Sequence, residues 1–251
     1  KLARQYPGVN SYCYNSDPYS NNPVKGCSSV SLISSHLGKR GLDIDVMLGE
    51  ERLHIETLLI GDFNVENLLA CISTLSLLGF SAVKIEQCMQ GLNPIPGRMQ
   101  YYPASTNTPA VIVDFAHTAQ ALEACLLALQ KYTRGDIYCV FGCGGDRDQS
   151  KRPRMARVAE RLSQHVIVTD DNPRTESAEG IIQDILQGFE DPSSVRVIHD
   201  RETAIRAALD AAQGNDLVVI AGKGHEQVQI IGDARIPFSD NALIAQIRGE
   251  R

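Results

Sequence analysis

Four clusters of polar residues follow short apolar runs in this sequence, and they contain the side chains best suited to binding a small charged molecule. They are Asp114 to Thr118, Gly142 to Asp148, Asp170 to Glu176 and Gly222 to Glu226. In the third cluster, the planar guanidinium group of Arg174 can grip a carboxylate with two parallel hydrogen bonds. Asp171 and Asn172 beside it can hold an ammonium group, so this cluster suits both charged ends of an amino acid.

Each cluster also has an explanation that involves no ligand. Arg174 can be a solvated side chain in an Asx-Pro turn, and Gly142 to Gly145 can be a tight turn between a strand and a helix. His117 can be an ordinary loop histidine, and Asp114 can cap the helix that begins near Thr118. A basic run shifts the balance toward an anion site at a helix start, although we expect its last residue to face solvent. The run is Lys151, Arg152, Arg154 and Arg157.

The fourth cluster, Gly222-Lys223-Gly224-His225-Glu226, resembles part of a phosphate-binding loop. Its Gly-Lys pair is followed by Gly224, whereas a Walker A loop has Ser or Thr at that point. The full GxxxxGK[ST] pattern occurs nowhere in the sequence. This cluster therefore does not predict a Walker A nucleotide site.

The apolar runs that precede the clusters predict a mainly parallel sheet. From Ala110 onward, β-branched runs alternate with segments of helical periodicity, which is typical of βαβ units. The predicted strands are Ala110 to Asp114, Ile137 to Phe141, His165 to Thr169, Val195 to Ile198 and Leu217 to Ala221. Continuous apolar strands are buried on both faces, so we expect helices on both sides of the sheet. Ligands bind such sheets at the carboxyl ends of the strands, where all four clusters would lie.

A hairpin and a short helix are predicted after the last parallel strand. The hairpin pairs Gln227 to Ile231 with Ala234 to Phe238 around the two-residue turn Gly232-Asp233. The helix runs from Asn241 to Arg248.

The first part of the chain follows a different pattern. Its predicted elements are antiparallel strands at Asp43 to Leu48 and Arg52 to Ile60 and a helix from about Asn64 to Leu78. The polar segment Tyr12 to Ser35 predicts few strands. Asn93 to Gly97 contains two prolines that break all periodicity, so it is the best linker candidate. We therefore predict two units, 1–93 and 94–251.

Composition excludes several classes of protein. The 251 residues include 24 Lys and Arg against 30 Asp and Glu, and a net charge of −6 argues against a general nucleic-acid binder. The longest apolar stretch, Leu68 to Phe80, contains Ser and Thr and is too short to cross a membrane. The chain starts at Lys1 without an apolar signal core, so we expect a processed protein or part of a longer one.

The cysteines and the remaining histidines predict no metal site. Seven cysteines occur without a CxxC pair or zinc-type spacing, which favours a reduced, cytoplasmic protein. The remaining histidines have no carboxylate or cysteine neighbours at ligand spacing, and we assign them no role. They are His36, His54, His165 and His199.

Six motifs in and around the clusters resemble those of the Mur ligases, and they occur in the order found in that family. They are GDFNVENLLA (61–70), GRMQ (97–100), VDFAHT (113–118), FGCGGDRDQSKRP (141–153), TDDNPRTE (169–176) and AGKGHE (221–226). The resemblance extends from about residue 43 to the end of the chain. The DNPR sequence is similar to the version found in members that add meso-diaminopimelate rather than lysine.

The resemblance implies a fold and a reaction. The fold is α/β, with a mainly parallel, doubly wound, Rossmann-like sheet and a late β-hairpin, preceded by the C-terminal part of the family's central ATPase domain. The reaction uses ATP and Mg²⁺ to phosphorylate the carboxylate of UDP-N-acetylmuramoyl-L-alanyl-D-glutamate, after which the amine of meso-diaminopimelate attacks the acyl phosphate. This is a cytoplasmic step of peptidoglycan precursor synthesis. We also expect a monomer with no membrane or nucleic-acid partner.

The resemblance further implies roles for individual residues. Asn64 is similar to the residue that holds the adenine, with Asn67 supporting it. Arg98, Asp114 and His117 are similar to contacts with the ribose and phosphates, made when the C-terminal domain closes over the nucleotide. The implied amino-acid pocket consists of Arg147, Asp171, Asn172, Pro173, Arg174, Gly222 and Glu226. There Arg174 would clamp the distal carboxylate and Glu226 would pair with the distal ammonium, while no residue is assigned a certain catalytic role.

Several parts of the family pattern do not occur in the sequence. They are the ATP-binding GTNGKT loop, the carbamylated lysine, the Mg²⁺ ligands and the UDP-sugar domain. The resemblance therefore assigns 1–93 to the end of the central domain and 94–251 to the amino-acid-binding domain, and we hypothesise that the chain does not ligate alone. Other readings are a lysine-adding ligase, a folylpolyglutamate synthetase-like enzyme and a non-catalytic amino-acid-binding module.

Overall fold

The structure, a computed structural model, describes residues 12–15, 28–37, 41–105, 108–131 and 133–249. The chain forms two compact units, Lys1–Asn93 and Pro94–Arg251. Each unit contains a sheet and a hydrophobic core of its own. No helix within the described ranges is both long enough and apolar enough to cross a membrane.

The described residues of the first unit form a four-stranded sheet and two helices. The strands, in sheet order, are β1 (Tyr12–Asn15), β2 (Ser28–Leu37), β3 (Leu42–Leu48) and β4 (Glu51–Glu56), and the helices are α1 (Asp62–Leu77) and α2 (Ala82–Met89). Strands β1 and β2 are parallel, and the other pairs are antiparallel. Because side chains alternate along a strand, Ile44 and Val46 of β3 point to one face. There they share a buried core with Leu69 and Ile72 of α1.

The polar segment at the start of this unit contains more strand than we expected. Tyr12 to Ser35 includes β1 and most of β2. Strand β2 forms because Val30 and Leu32 are buried in the same core as β3, although serines separate them. Few apolar residues are therefore enough for a strand when its neighbour supplies the rest of the core.

The end of β4 and helix α2 also differ from the expectation. The predicted strand Arg52 to Ile60 ends at Glu56. At Thr57, the amide and the hydroxyl both donate to the carbonyl of Leu42, at 2.8 Å and 3.2 Å. The amide of Leu58 then donates to Leu92 instead of continuing the ladder. Helix α2 was not predicted. Its start is set by Ser81, whose hydroxyl accepts a hydrogen bond from the amide of Lys84 at 3.4 Å.

The second unit confirms the predicted α/β sheet. Its strands, in sheet order, are β5 (Gln100–Tyr102), β6 (Ala110–Asp114), β10 (Leu217–Ala221), β7 (Ile137–Phe141), β8 (His165–Val168) and β9 (Arg196–Val197). Strand β5 is antiparallel to β6, and the other five strands are parallel. The predicted strand Val195 to Ile198 is reduced to two residues, and Thr169 lies beyond the end of β8.

Helices connect the parallel strands, and a hairpin follows the last one. The helices are α3 (Ala119–Gln130), α4 (Lys151–Leu162), α5 (Ala178–Leu186), α6 (Arg201–Ala211) and α7 (Asp240–Arg248), with a short 3₁₀ helix at Pro192–Ser194. The hairpin pairs β11 (Val228–Ile231) with β12 (Ala234–Pro237) in antiparallel register, as predicted. Helix α7 begins one residue before the predicted start.

Both faces of the parallel sheet are buried, as its apolar strands predict. Val218 and Ile220 of β10 share a core with Ile205 of α6 and Ile244 of α7. Val219 points to the opposite face, because side chains alternate along the strand, and it too is fully buried. The sheet is therefore a rigid support for the loops at its carboxyl edge.

A buried ion pair joins the starts of α6 and α7. The Nε and Nη2 atoms of Arg201 donate to the two carboxylate oxygens of Asp240, both at 2.8 Å. Nη2 also donates to the carbonyl of Ala221 at 3.1 Å, at the end of β10. Both charged side chains are fully inaccessible to solvent. Neither charge can be removed without leaving the other buried and unpaired.

Replacing Asp240 by Asn should lower the free energy of unfolding by about 3–5 kcal/mol, because Arg201 would remain charged and buried without a carboxylate. Chemical denaturation of the wild-type chain and the variant measures the difference. The matched control is Glu202→Gln, whose carboxylate pairs with Arg206 at the exposed surface of α6 at 2.7 Å. Exposed pairs contribute only about 0–1 kcal/mol. Equal losses in the two variants would contradict a special role for the buried pair.

Candidate functional site

The four polar clusters lie at one edge of the sheet in the second unit. Strands β6, β10, β7 and β8 are neighbours and run parallel, so their carboxyl ends point the same way. The clusters follow these ends directly, as predicted. The edge therefore presents loops from four strands within one region, which is where open α/β sheets bind ligands.

The glycine-rich loop after β7 packs against the loop after β8. The amide of Gly145 donates to the carbonyl of Asn172 at 2.9 Å. A Cβ atom on Gly145 would lie 1.9 Å from the carbonyl oxygen of buried Pro173, so no other residue fits without moving the loop. Gly145 therefore has a packing role, since it allows the two loop backbones to approach closely. This role is compatible both with a simple turn and with an anion site.

Arg174 links the same loop to the hairpin. Its backbone is in the left-handed region, with φ of 54°, which is uncommon for a residue other than glycine. Its amide donates to the carbonyl of Ile230 at 3.0 Å, and its carbonyl accepts from the amide of Gly232 at 2.7 Å. The Nη1 atom of the half-buried guanidinium donates to the carbonyl of Gly145 at 2.7 Å. The residue is therefore fixed from three sides, and it is not the loosely solvated side chain of a simple turn.

Asn172 and Glu226 come together between the loops after β8 and β10. The side-chain amide of buried Asn172 donates to Oε2 of Glu226 at 2.7 Å. The same oxygen accepts from Nζ of Lys223 at 3.0 Å. Burial raises the pKa of Glu226, but the hydrogen bonds from Asn172 and Lys223, with the charges of Lys223 and Arg174, outweigh burial and leave that pKa below its ordinary value. Glu226 is therefore an anion, and it is about 30% exposed.

Asp171 lies beneath this pair of loops. Burial raises the pKa of its carboxyl, although the charges of Arg201 and Lys223 oppose the shift. Its Oδ1 atom lies 3.9 Å from Nζ of Lys223. Gly222, with φ of 115°, leaves room for it, because a Cβ atom there would lie 2.8 Å from Oδ2 of Asp171. The structure thus makes Gly222 and Asp171 direct neighbours.

Arg147 is not brought to these residues by any described contact. It is exposed, and its Nη1 atom donates to the carbonyl of Asp146 at 2.9 Å. Asp146 in turn accepts hydrogen bonds from the hydroxyl and the amide of Thr175. Arg147 therefore lies on the loop that packs against the Arg174 loop, with its guanidinium turned toward its own neighbour.

Arg152 is not available to an anion, contrary to the expectation for the basic run on α4. Its side chain is buried, and it donates to Glu176 and to Asp184 of α5, both at 2.8 Å. It also donates to the carbonyl of Gly144 at 3.3 Å. Arg157 is exposed, as predicted. The spacing of the run could not reveal the carboxylates that come from other parts of the chain.

A second group of predicted residues surrounds Phe115. The guanidinium carbon of Arg98 lies 4.6 Å from the centre of the Phe115 ring, and the rings of His117 and His225 lie 4.5 Å and 5.0 Å from it. Arg98 and His117 are both exposed. The structure thus places both candidates against the ring of Phe115, a residue that the sequence motifs did not single out.

Asp114 is buried next to this exposed group. Its Oδ2 atom accepts a hydrogen bond from the amide of Met99 at 2.7 Å, and burial raises the pKa of its carboxyl. It does not cap α3, because that role belongs to Thr118, whose hydroxyl accepts from the amide of Ala121. The alternative prediction of a helix cap at Asp114 is therefore wrong.

The candidates in the first unit lie on α1. The side-chain amide of Asn64 donates to the carbonyl of Ile60 at 2.8 Å, and that of Asn67 donates to Oδ1 of Asn64 at 3.1 Å. Asn67 is thus in direct contact with Asn64. A contact of Asn64 with adenine stays a prediction.

All four unassigned histidines have carboxylate neighbours, contrary to the sequence-based expectation. The shortest separations are 3.1 Å for His36 and Asp43, 3.2 Å for His54 and Asp45, and 3.0 Å for both His165 with Asp136 and His199 with Asp170. These partners come from adjacent strands or loops, so local spacing could not show them. Hydrogen bonding to Asp45 raises the pKa of His54 above its ordinary value.

Asp43, His54 and Glu56 form the one group of possible metal ligands found within the described ranges. One ligand atom from each lies within 4.8 Å of the others. His54 and Glu56 are exposed and belong to ion pairs on the outer face of the sheet. An imidazole makes the group unsuited to Mg²⁺, which prefers oxygen ligands.

Comparison with known proteins matches both the sequence and the fold. Residues 97–224 match the family model for the Mur ligase, glutamate ligase domain. A relative from Haemophilus ducreyi, a UDP-N-acetylmuramoyl-L-alanyl-D-glutamate--2,6-diaminopimelate ligase, is 45% identical over 207 residues, which is 82% of this chain and 41% of the relative. The chain thus spans about two-fifths of the length of that relative.

Solved structures show the same fold. One, of a UDP-N-acetylmuramoyl-L-alanyl-D-glutamate--2,6-diaminopimelate ligase, has a TM-score of 0.66 and 36% identity, and the match covers 89% of this chain and 45% of that one. A folylpolyglutamate synthase from Mycobacterium tuberculosis has a TM-score of 0.62 at 19% identity, over 77% of this chain and 45% of that one, which shows the fold alone. With the six motifs in order on a parallel sheet and a match over residues 97–224, this chain belongs to the Mur ligase family.

Proposed function

We propose that this chain forms the acceptor amino-acid half of an ATP-dependent ligase that adds meso-diaminopimelate to UDP-N-acetylmuramoyl-L-alanyl-D-glutamate. In this proposal, 1–93 is the last part of the central ATP-binding domain and 94–251 is the amino-acid-binding domain. The observation that carries the proposal is the meeting of Arg174, Asn172 and Glu226 at the carboxyl edge of the sheet. The names of the similar ligases point to the same acceptor.

The pocket suits a molecule with two amino-acid ends. Arg174 uses one N–H bond on Gly145, and the remaining donors of its planar group can bind the distal carboxylate of diaminopimelate. The anionic Glu226 can bind the distal ammonium. Lysine has that ammonium but lacks the carboxylate, so it would leave Arg174 unpaired. Discrimination against lysine should be strong, because its binding would leave a polar group of the protein without a hydrogen-bond partner.

The reaction also requires ATP and Mg²⁺. Several of the candidate residues suit ATP, but their acidic member, Asp114, does not suit Mg²⁺. Arg98 and His117 expose groups that suit phosphate oxygens, and Asn64 offers amide hydrogen-bonding atoms on a helix. Asp114, the acidic residue next to Phe115, is occupied by the amide of Met99 and is buried. We therefore place the Mg²⁺ ligands outside these residues. ATP, when bound, supplies the phosphoryl group that makes the substrate carboxylate reactive.

Calorimetric titration of this chain with meso-diaminopimelate should show saturable binding, and titration with L-lysine should show binding at least roughly a hundredfold weaker. The reason is the distal carboxylate, which lysine lacks and which Arg174 would hold. Equal affinities would favour a lysine-adding ligase. Binding of neither amino acid would overturn the proposal.

Replacing Arg174 by Ala should weaken the binding of meso-diaminopimelate by roughly 10- to 100-fold, which is typical of losing a hydrogen bond to a charged group. The weak binding of L-lysine should not change. Arg157→Ala on α4, which removes an exposed guanidinium far along the helix, is the matched control and should leave both affinities unchanged. If the Arg174 variant bound meso-diaminopimelate and L-lysine more weakly by the same factor, the substitution would have damaged the loop rather than removed a carboxylate clamp.

A further inference from the structure

Lys223 is a buried cation inside the amino-acid site, and neither the motif comparison nor the fold gives it a role. Its side chain is fully inaccessible to solvent. Its Nζ atom donates to Val228 O at 2.7 Å, to Glu226 Oε2 at 3.0 Å and to Asn172 Oδ1 at 3.1 Å. An ammonium group has three N–H donors, so all of them have acceptors in the protein. Lys223 therefore has no donor left for a substrate.

We propose that Lys223 is a positioning residue that sets the orientation of Asn172 and Glu226 for the ammonium group of the acceptor amino acid. The inference rests on the proposed function, because it takes these two residues as the part of the pocket that faces the ammonium. Lys223 acts only through them. It ties together three segments, since Asn172 follows β8, Glu226 follows β10 and Val228 begins the hairpin.

Lys223 fixes which way the Asn172 amide faces. Oδ1 of Asn172 accepts from Lys223 and from the amide of Ile230 at 2.9 Å. Its Nδ2 atom therefore faces Glu226, to which it donates at 2.7 Å. Turning the amide over would set an NH₂ group against the ammonium of Lys223 and the amide of Ile230, both of which are donors. A neutral residue at position 223 would remove one of the two donors that hold Oδ1.

Lys223 also sets the charge of the pocket. It is one positive charge between the carboxylates of Asp171, at 3.9 Å, and Glu226, at 3.0 Å. Its charge opposes the effect of burial on the pKa of Asp171 and helps to lower the pKa of Glu226, so it favours the charged form of both carboxylates. Without Lys223, the two carboxylates would repel each other in a buried setting, and one of them would tend to be protonated.

Oε1 of Glu226 is the atom that this arrangement leaves for a ligand. Both hydrogen bonds from Asn172 and Lys223 go to Oε2. Within the part of the chain that the structure describes, no hydrogen bond to Oε1 of Glu226 occurs. The two donors thus hold the carboxylate by one oxygen and turn the other outward. That geometry suits an ammonium donor from the substrate.

The first test replaces Lys223 by Met, which keeps the length of the side chain and removes its charge. In calorimetric titrations of this chain, Kd for meso-diaminopimelate should rise by roughly tenfold or more. The control for lost stability is Asp240→Asn, which breaks the buried ion pair between α6 and α7 and removes no hydrogen bond to Asn172 or Glu226. Its Kd should change by less than about twofold. An unchanged Kd in Lys223→Met would overturn the inference.

A double-mutant cycle separates positioning from general structural damage. Glu226→Gln should itself weaken binding, and in that background Lys223→Met should weaken it by no more than about threefold further. The effect of Lys223→Met should be smaller in this background than in the wild-type chain, because Lys223 acts in part through Glu226. Effects that simply multiply would overturn the inference, since independent structural damage behaves in that way.

A measurement without any amino acid keeps this inference separate from the proposed function. Carbon-13 NMR titration of the Glu226 carboxylate should show a higher pKa in Lys223→Met than in the wild-type chain, because two causes of the lowered pKa are then absent. Lys223→Gln serves the same purpose if the Met variant does not fold. Failure of the wild-type chain to bind meso-diaminopimelate would refute the proposed function, whereas an unchanged pKa of Glu226 would refute the role of Lys223.

Discussion

Burial of positive charge is the constraint on which the second unit depends. Arg152, Arg201 and Lys223 are each almost fully excluded from solvent, and a buried cation is tolerated only with acceptors of good geometry. Each finds at least one acceptor in a segment that is distant in sequence. Arg152 joins α4 to α5, Arg201 joins α6 to α7, and Lys223 joins the loops after β8 and β10 to the hairpin. The apolar sheet fixes the strands, and these cations fix the loops at its edge.

The sheet could be predicted from the sequence because its signal is local. Five apolar runs, each next to a turn or a helix start, correspond to five parallel strands. Strand β2 could not be predicted in the same way, because its serines hide an alternation that becomes visible only once Val30 and Leu32 are buried in the core that β3 and α1 share. Helix α2 is short, and only the cap at Ser81 marks its start. Elements that rely on a neighbour for their core leave a weak pattern in their own residues.

The site shows the same division between local and distant information. Motifs identified Asn172, Arg174 and Glu226, since polar residues after buried strands are unusual in themselves. They did not identify the role of Lys223 or the pairing of Arg152 with Glu176, because a lysine or arginine ordinarily faces solvent. The one local signal for Lys223 was its position directly after the five buried residues of β10 and Gly222. The nearest carboxylate of each of the four histidines could not be predicted for the same reason, since it comes from another strand or loop.

The left-handed backbone of Arg174 limits how this site can diverge. The hairpin holds position 174 through its amide and its carbonyl, so the scaffold does not depend on which side chain is present. A related protein could therefore exchange the arginine and recognise a different acceptor while keeping the same hairpin. The exchange is restricted, however, because β-branched residues strongly disfavour a φ of 54°. Glycine, asparagine and aspartate tolerate it best. The backbone conformation at position 174 thus restricts the residues that can replace the arginine when specificity changes.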